Sequence, residues 1–265
     1  MNQIEKKMLE ILKRGKDHYG YLALKCEFEA EGIRNDELHR QIDLARRANL
    51  SLAIKIGGCE AVSDLLKCKQ IGADYIIAPM IETKYALTKY IDAKNKVYNK
   101  MEQEYVCFLF NLETITAYEN LEDMLSINLK TEIDGLVFGR VDFANSMNIS
   151  RDDISNEKTE TYCDKVASQC RKNDLEYVIG GSVGFDSIEF LRRIKKKFLS
   201  RFETRKIVLS SDSLDLKDRS YLKNAIEFEL LSLINKQNYY KKIEIEDSSR
   251  IKMLESRLNN LNNII

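Results

Sequence analysis

Residues 105–125 read YVCFLFNLETITAYENLEDML, and this stretch shows how the chain is built. Its apolar run ends at Asn111 and Glu113, and Tyr118, Leu121 and Leu125 then follow at helical spacing. An apolar run followed by an amphipathic stretch is typical of a parallel strand and its crossover helix. The same order of strand and helix recurs along most of the chain.

The repeated order predicts a closed α/β barrel. Spacings near 25 to 30 residues favour a TIM (β/α)₈ barrel over an open doubly wound sheet. Only seven runs are evident as strands. We expect the eighth strand to be a weak element before Tyr21, which would make the barrel irregular there. The seven runs predicted as strands are Tyr21–Glu27, Leu52–Ile56, Tyr75–Ala78, Tyr105–Asn111, Gly135–Phe138, Tyr177–Gly180 and Phe202–Leu209.

The C-terminal part of the chain has a different pattern. We expect the barrel to occupy residues 1–212, and a long barrel helix, which could be swapped between protomers, to occupy residues 213–240. A helical tail is expected over residues 241–265. In the tail, apolar residues recur at alternating spacings of three and four, as in the a/d seam of a short coiled coil. An amphipathic helix that docks on its own barrel is an equally good interpretation. The residues concerned are Ile251, Leu254, Leu258, Leu261 and Ile265.

Composition excludes several classes of protein. The 42 Lys and Arg residues balance 42 Asp and Glu, so no overall charge attracts nucleic acid or an anionic membrane. No apolar stretch is long enough to span a bilayer, and the N-terminal segment lacks the apolar centre of a signal peptide. We therefore expect a cytoplasmic protein with no nucleic-acid or membrane partner.

The inventory of reactive side chains narrows the chemistry. The six cysteines form no Cys-x-x-Cys pair, and His18 and His39 are the only histidines. Disulfides, zinc-thiolate sites and histidine triads are therefore improbable. Catalysis would have to use carboxylates, lysines and arginines.

Polar side chains follow two of the predicted strands at the point where each ends. Asn111 and Glu113 share one face by the two-residue period of a strand, and Asp142 follows the next strand. Strand ends of a barrel meet at one mouth, so Glu113 and Asp142 could bind one Mg²⁺ or Mn²⁺ ion. The alternative is structural: Glu113 caps the following helix and Asp142 pairs with Arg140.

These strand ends resemble the metal-binding core of the HpcH/HpaI aldolase and citrate lyase β-subunit family. The resemblance lies in residues 111–121 (NLETITAYENL), 134–143 (DGLVFGRVDF) and 76–83 (IIAPMIET), and the order of elements is similar from about Tyr21 to Gly181. It implies a phosphoenolpyruvate/pyruvate-type barrel that uses Mg²⁺ or Mn²⁺ to make or break a carbon–carbon bond. The substrate would be a 2-oxo acid or an acyl-CoA, and the metal would stabilise its enolate.

The resemblance also assigns roles to individual residues. Family members usually carry an arginine where this chain has Lys55, so we expect Lys55 to bind the substrate carboxylate without the bidentate fork of arginine. Asn111 stands where many of the aldolases have glutamine. Both are expected to bind substrate, although Lys55 could instead form an internal salt bridge with Glu27 or Glu113.

One departure from the family pattern concerns the general base. The aldolases supply a histidine from the loop after the first strand, and Ala30 stands in that position here. Proton transfer would then fall to Glu27, Glu29 or a metal-bound water, because neighbouring carboxylates raise the pKa of a carboxyl group. Structural pairing of Glu27 with Lys25 or Lys55 is the competing interpretation.

Further candidate residues lie at later strand ends. Gly181 and Ser182, within Gly180–Gly184, follow a strand and could bind a carboxylate or phosphate through their amides, although a tight turn explains them as well. We also expect Arg140 to bind substrate. Glu203 and Arg205 are secondary candidates, because charges inside a barrel must be paired or functional.

Three functions remain open from the sequence. The first is a metal-dependent carbon–carbon lyase with Glu113 and Asp142 as ligands. The second is an acyl-CoA lyase or thioesterase at the same site. The third is a barrel with an altered site that serves in binding or assembly. A homo-oligomer is expected in each case, because members of the resembling family commonly swap the final barrel helix.

Overall fold

The computed structural model describes residues 1–127, 129–150, 154 and 157–262. The strands are β1 (Tyr21–Glu27), β2 (Ser51–Lys55), β3 (Tyr75–Ala78), β4 (Cys107–Leu112), β5 (Gly135–Gly139), β6 (Glu176–Gly180), β7 (Arg201–Glu203) and β8 (Ile207–Ser210). The helices are α1 (Gln3–His18), α2 (Asn35–Arg47), α3 (Val62–Ile71), α4 (Lys84–Val97), α5 (Lys100–Gln103), α6 (Ile115–Glu119), α7 (Leu121–Leu125), α8 (Arg140–Ser146), α9 (Glu157–Lys172), α10 (Ile188–Lys195) and α11 (Ser220–Asn262).

The eight strands form a closed barrel in sequence order, which confirms the predicted fold class. Strands β1 to β7 are parallel to their neighbours along the chain. Strand β8 is antiparallel to both β7 and β1, so it closes the barrel against the direction of the others. The barrel is therefore irregular at its last strand.

The expected position of the eighth strand was wrong. Residues before Tyr21 belong to α1, whose buried side chains Met8, Ile11 and Leu12 follow helical spacing. The run predicted as one strand, Phe202–Leu209, is instead the hairpin of β7 and β8. Its turn is closed by Thr204, whose amide donates to the Ile207 carbonyl and whose hydroxyl accepts from the Ile207 amide.

The barrel interior is arranged in layers along its axis. Its central layer takes one small or aliphatic residue from nearly every strand: Ala23, Ala53, Ile77, Leu109, Val137, Val178 and Val208. Because side chains on a strand alternate between faces, the residues two positions further on also point inward. These are Lys25, Lys55, Asn111, Gly139 and Gly180. The apolar layer is therefore the floor of a polar mouth at the carboxyl ends of the parallel strands.

Helix α11 is one continuous helix of 43 residues, with no break at residue 240. Its first part packs against α1 and buries Leu222, Ala225 and Phe228. Within the described residues, no helix combines the length and apolar character needed to cross a bilayer. Of the tail residues predicted to form a seam, Ile265 and the side chain of Leu261 lie outside the described part of the chain.

Candidate active site

A cavity of about 450 Å³ opens at the carboxyl ends of the barrel strands. The structure brings nearly all the predicted site residues to it. Those that line it are Glu27, Lys55, Asn111, Glu113, Asp142, Gly181 and Ser182, together with the secondary candidates Glu203 and Arg205. Arg140 and Glu29 are the predicted site residues that do not line the cavity.

Glu113 is buried, and its carboxylate is fixed from three sides. The backbone amide of Met80 donates to Oε1 at 2.9 Å, and Asn111 Nδ2 donates to Oε2 at 2.8 Å. Lys55 Nζ lies 3.4 Å from Oε2. Met80 adopts a left-handed φ of 52°, a costly conformation for a side-chain-bearing residue, and its amide is the group that reaches Glu113. Glu113 is therefore held in one orientation.

Glu113 does not cap the following helix, because its neighbour does. The Thr114 hydroxyl accepts a hydrogen bond from the Ala117 amide at the start of α6, and it donates to Glu82 Oε1 at 2.6 Å. A threonine at the N-cap satisfies the free amides that Glu113 would otherwise have to satisfy. The carboxylate of Glu113 is left to face the mouth of the barrel.

Asp142 lies in the first turn of α8, which begins directly after β5. The cavity walls partly desolvate its carboxylate and Glu113 repels it, and both effects raise the pKa of Asp142 above its ordinary value. It does not pair with Arg140, and within the described residues no hydrogen bond or ion pair engages it. Two carboxylates of like charge that line one cavity are suited to a cation.

The side-chain amide of Asn111 carries a further oxygen atom beside the carboxylate of Glu113. Because a carboxylate only accepts hydrogen bonds, Asn111 must turn Nδ2 toward Glu113, which leaves its Oδ1 for another group. This oxygen is buried and has no hydrogen-bond partner in the described part of the chain. An unpartnered buried acceptor is costly unless a donor or a cation reaches it.

The donor set fits a hard divalent cation. Carboxylate and amide oxygens are the ligands that Mg²⁺ and Mn²⁺ prefer, and Mg²⁺ commonly takes only one or two carboxylates and keeps several waters. Five carboxylates and three cationic side chains line the cavity, so its lining carries an excess of negative charge. In the described residues no three His, Cys, Asp or Glu side chains cluster as a complete metal site, so water or substrate would supply the remaining ligands.

Lys25 and two glutamates form a buried ionic group in the same mouth. Lys25 Nζ lies 2.5 Å from Glu203 Oε1 and 3.2 Å from Glu27 Oε1. Burial alone would lower the pKa of Lys25, but the two carboxylates more than offset it and raise that pKa. Lys25 was not among the site residues predicted from the sequence, although its position two residues after Ala23 places it on the inward face of β1.

The same charges overturn one expectation about Glu27. Burial alone would raise its pKa, but the ammonium groups of Lys25 and Lys55 lower the pKa of Glu27 below its ordinary value. The expected rise toward neutrality was wrong, because cations and not carboxylates are its nearest charged neighbours. A carboxylate with a lowered pKa is a weak base, and we assign Glu27 no proton transfer. Glu29, the other candidate base, is exposed and does not line the cavity.

Arg140 was predicted to bind substrate, and the structure places its side chain elsewhere. Its side chain is completely buried, and its guanidinium donates to the carbonyls of Gly180, Gly181 and Ser182 and to the Ser187 hydroxyl. It therefore holds the turn after β6 and does not line the cavity. Gly181 has a left-handed φ of 84°, and a Cβ on it would lie 2.8 Å from the Val141 amide nitrogen. This close approach explains the glycine at that position.

Fold and site together define a TIM-type barrel with an oxygen-lined cavity at the carboxyl ends of its strands. The chain belongs to the HpcH/HpaI aldolase/citrate lyase family, whose sequence model matches residues 35–188. No curated protein sequence matches the chain.

Solved structures share the fold at low sequence identity. A crystal structure of a variant of the citrate synthase SbnG is 13% identical, with a TM-score of 0.58 over 87% of this chain and 90% of that one. A HpcH/HpaI aldolase/citrate lyase family protein from Burkholderia cenocepacia J2315 is 15% identical, with a TM-score of 0.60 over 76% and 82%. RipC from Yersinia pestis is 14% identical, with a TM-score of 0.51 over 79% and 88%.

Proposed function

We propose that the protein is a lyase that makes or breaks a carbon–carbon bond beside the carbonyl group of a 2-oxo acid, and that it uses Mg²⁺ or Mn²⁺. One observation carries the proposal: Glu113 and Asp142 line the same cavity at the barrel mouth, and the charge of Glu113 helps to raise the pKa of Asp142. Membership of an aldolase and citrate lyase family supports the reaction class.

Glu113 and Asp142 would hold the cation, with Asn111 Oδ1 facing it or one of its waters. Stabilisation of negative charge on the keto oxygen of the substrate is the chemistry that such a cation supplies when bound. The amide of Met80 and the Nδ2 group of Asn111 fix the carboxylate of Glu113, so this proposed metal ligand is oriented before substrate binds.

Lys55 would bind the carboxylate of the substrate. Its ammonium lies in the cavity 3.4 Å from Glu113 Oε2, a loose ion pair that leaves donors for a second anion. Apolar side chains of Val137, Val141 and Val183 form part of the wall, and their low polarity strengthens charge interactions beside them. The ion group of Lys25, Glu27 and Glu203 is more buried than Lys55 and is internally paired, so Lys55 is the better cation for substrate.

Hydrogen exchange on pyruvate tests the proposal. In D₂O with Mg²⁺, we expect the protein to catalyse loss of the methyl proton signal of pyruvate in ¹H NMR, because an enolate must form and be reprotonated. The exchange should stop without Mg²⁺ and in Glu113→Gln. Absence of exchange on both pyruvate and oxaloacetate, with a folded protein and saturating Mg²⁺, would reject a 2-oxo acid lyase.

Two experimental outcomes would favour the alternative functions. Thermal protection by a CoA thioester, without protection by any free 2-oxo acid, would favour an acyl-CoA lyase or thioesterase at this site. Failure of either class to bind would favour a barrel that acts in binding or assembly.

A further inference from the structure

The end of α11 is a helix without a surface to pack on. At a rise of 1.5 Å per residue, the 43 residues of α11 extend about 64 Å. The first part is tied to the barrel, for example by the Tyr240 hydroxyl, which donates to Glu37 Oε1 at 2.6 Å. From residue 241 to 260 every side chain is exposed except that of Met253, which is half-buried. Helical segments without tertiary contacts are marginal in water, so this segment would gain stability from a partner.

Three large apolar side chains mark the face that needs covering. Ile251, Leu254 and Leu258 are 53%, 48% and 59% exposed, respectively. Their spacing of three and four residues places them on one side of the helix as positions a, d and a of a heptad. In parallel coiled coils, a β-branched residue at a with leucine at d, as in Ile251 and Leu254, favours two strands over three or four.

The charges beside this face select both the partner and its direction. In the same heptad register, Arg250 and Arg257 occupy g positions and Glu255 occupies an e position. In a parallel pair of identical helices, g faces the e position five residues further on in the partner, so Arg250 of each chain meets Glu255 of the other. An antiparallel pair would instead bring g to g and e to e, which sets arginine against arginine and glutamate against glutamate.

We propose that a second copy of this chain binds along residues 250–260 of α11 and forms a short parallel coiled coil with it. The two copies are complementary because each supplies one apolar face and both halves of the Arg250–Glu255 ion pairs. This pairing would tether two barrels through their C-terminal ends. It does not depend on the chemistry proposed for the barrel mouth.

Disulfide trapping in the full-length protein tests the pairing. Leu254→Cys places a thiol at the centre of the seam, whereas Ser256→Cys places one at an f position on the opposite side of the helix. In a glutathione redox buffer we expect Leu254→Cys to form a covalent dimer, and Ser256→Cys and the unaltered protein to form little. Equal yields from the two variants would overturn the proposal. Neither variant threatens the fold, because both residues are exposed.

Charge reversal in the Leu254→Cys background tests the direction. In a parallel pair, Arg250→Glu or Glu255→Arg alone should lower the dimer yield about tenfold, and mixing the two variants should restore it as a heterodimer. Lys252→Glu at b and Glu246→Arg at c, which make the same charge changes away from the seam, should leave the yield unchanged. A higher yield with Arg250→Glu would mean antiparallel pairing and would contradict the proposal.

Discussion

Gly139 lies against Glu113 with no room for a side chain between them. A Cβ at position 139 would lie 2.8 Å from Glu113 Cβ and 3.0 Å from Glu113 Oε2. The backbone of Gly139, with φ of −86°, is open to any residue, so space and not conformation requires a glycine. The end of β5 is thus shaped to leave Glu113 in place.

Replacing that glycine should weaken both metal binding and folding. In Gly139→Ala the new methyl group must displace Glu113 from its hydrogen bonds, and we expect Mn²⁺ affinity to fall at least tenfold, on the order of 1.4 kcal/mol. The free energy of unfolding should fall by about 1–3 kcal/mol, as is typical of overpacking. Calorimetric Mn²⁺ titration and urea unfolding measure the two effects. Gly58→Ala is the matched control, because nothing lies within 4 Å of a Cβ there.

Removing the charge of Lys55 should change metal and substrate binding in opposite directions. Its ammonium neighbours Glu113, so in Lys55→Met we expect Mn²⁺ to bind more tightly. The KM for a 2-oxo acid should rise about 10- to 100-fold, the value of a charge-assisted hydrogen bond to the substrate carboxylate. Metal titration and steady-state kinetics measure these changes, with the charge-preserving Lys55→Arg as control. An unchanged KM in Lys55→Met would exclude Lys55 as the carboxylate anchor.

An ion group outside the cavity predicts a pH dependence of stability. Partial burial alone would raise the pKa of Glu132, but hydrogen bonds from Lys94, Lys100 and Asn95 lower it to about 2. A carboxylate with a lowered folded-state pKa stabilises the protein above its unfolded-state pKa of about 4.3, and this contribution is lost as the pH falls toward 2. Glu132→Gln should therefore cost about 1–3 kcal/mol at pH 7.

The pH series distinguishes this effect from a simple loss of packing. The difference in free energy of unfolding between the unaltered protein and Glu132→Gln should shrink steadily from about pH 5 downward, as linkage requires. Urea unfolding at pH 7 and pH 3.5 measures it, with the exposed Glu119→Gln as a reference substitution. A difference that stays constant with pH would show that the charge of Glu132 does not stabilise the fold.

Much of the barrel could be predicted from the sequence, because its parallel strands are buried on both sides and give nearly continuous apolar runs. The hairpin of β7 and β8, in contrast, could not be predicted from the sequence. Thr204, Arg205 and Lys206 form its turn without glycine, proline or asparagine, the residues that mark most turns. The turn depends on the side chain of Thr204, and the run around it keeps the alternation of one long strand.

The site was predictable to the extent that it follows from strand ends. Asn111 lies near the end of β4, Glu113 follows that strand directly, and Asp142 lies in the first turn of the helix after β5. The closed sheet brings these three residues to one mouth. The direction of the pKa shift of Glu27 was harder to predict, because the sequence offered pairing with Lys25 or Lys55 only as one of two interpretations, and Lys55 meets Glu27 only when β1 and β2 pair. The burial of Arg140 depends on a turn 40 residues further along the chain.

Mn²⁺ binding tests the central claim most directly. Water proton relaxation or electron paramagnetic resonance should show saturable binding of one Mn²⁺ per chain, weakened at least tenfold in both Glu113→Gln and Asp142→Asn. Glu229→Gln, which removes another carboxylate from the same cavity, should bind Mn²⁺ like the unaltered protein. Absence of saturable binding, or equal weakening in all three variants, would contradict a metal site built from Glu113 and Asp142.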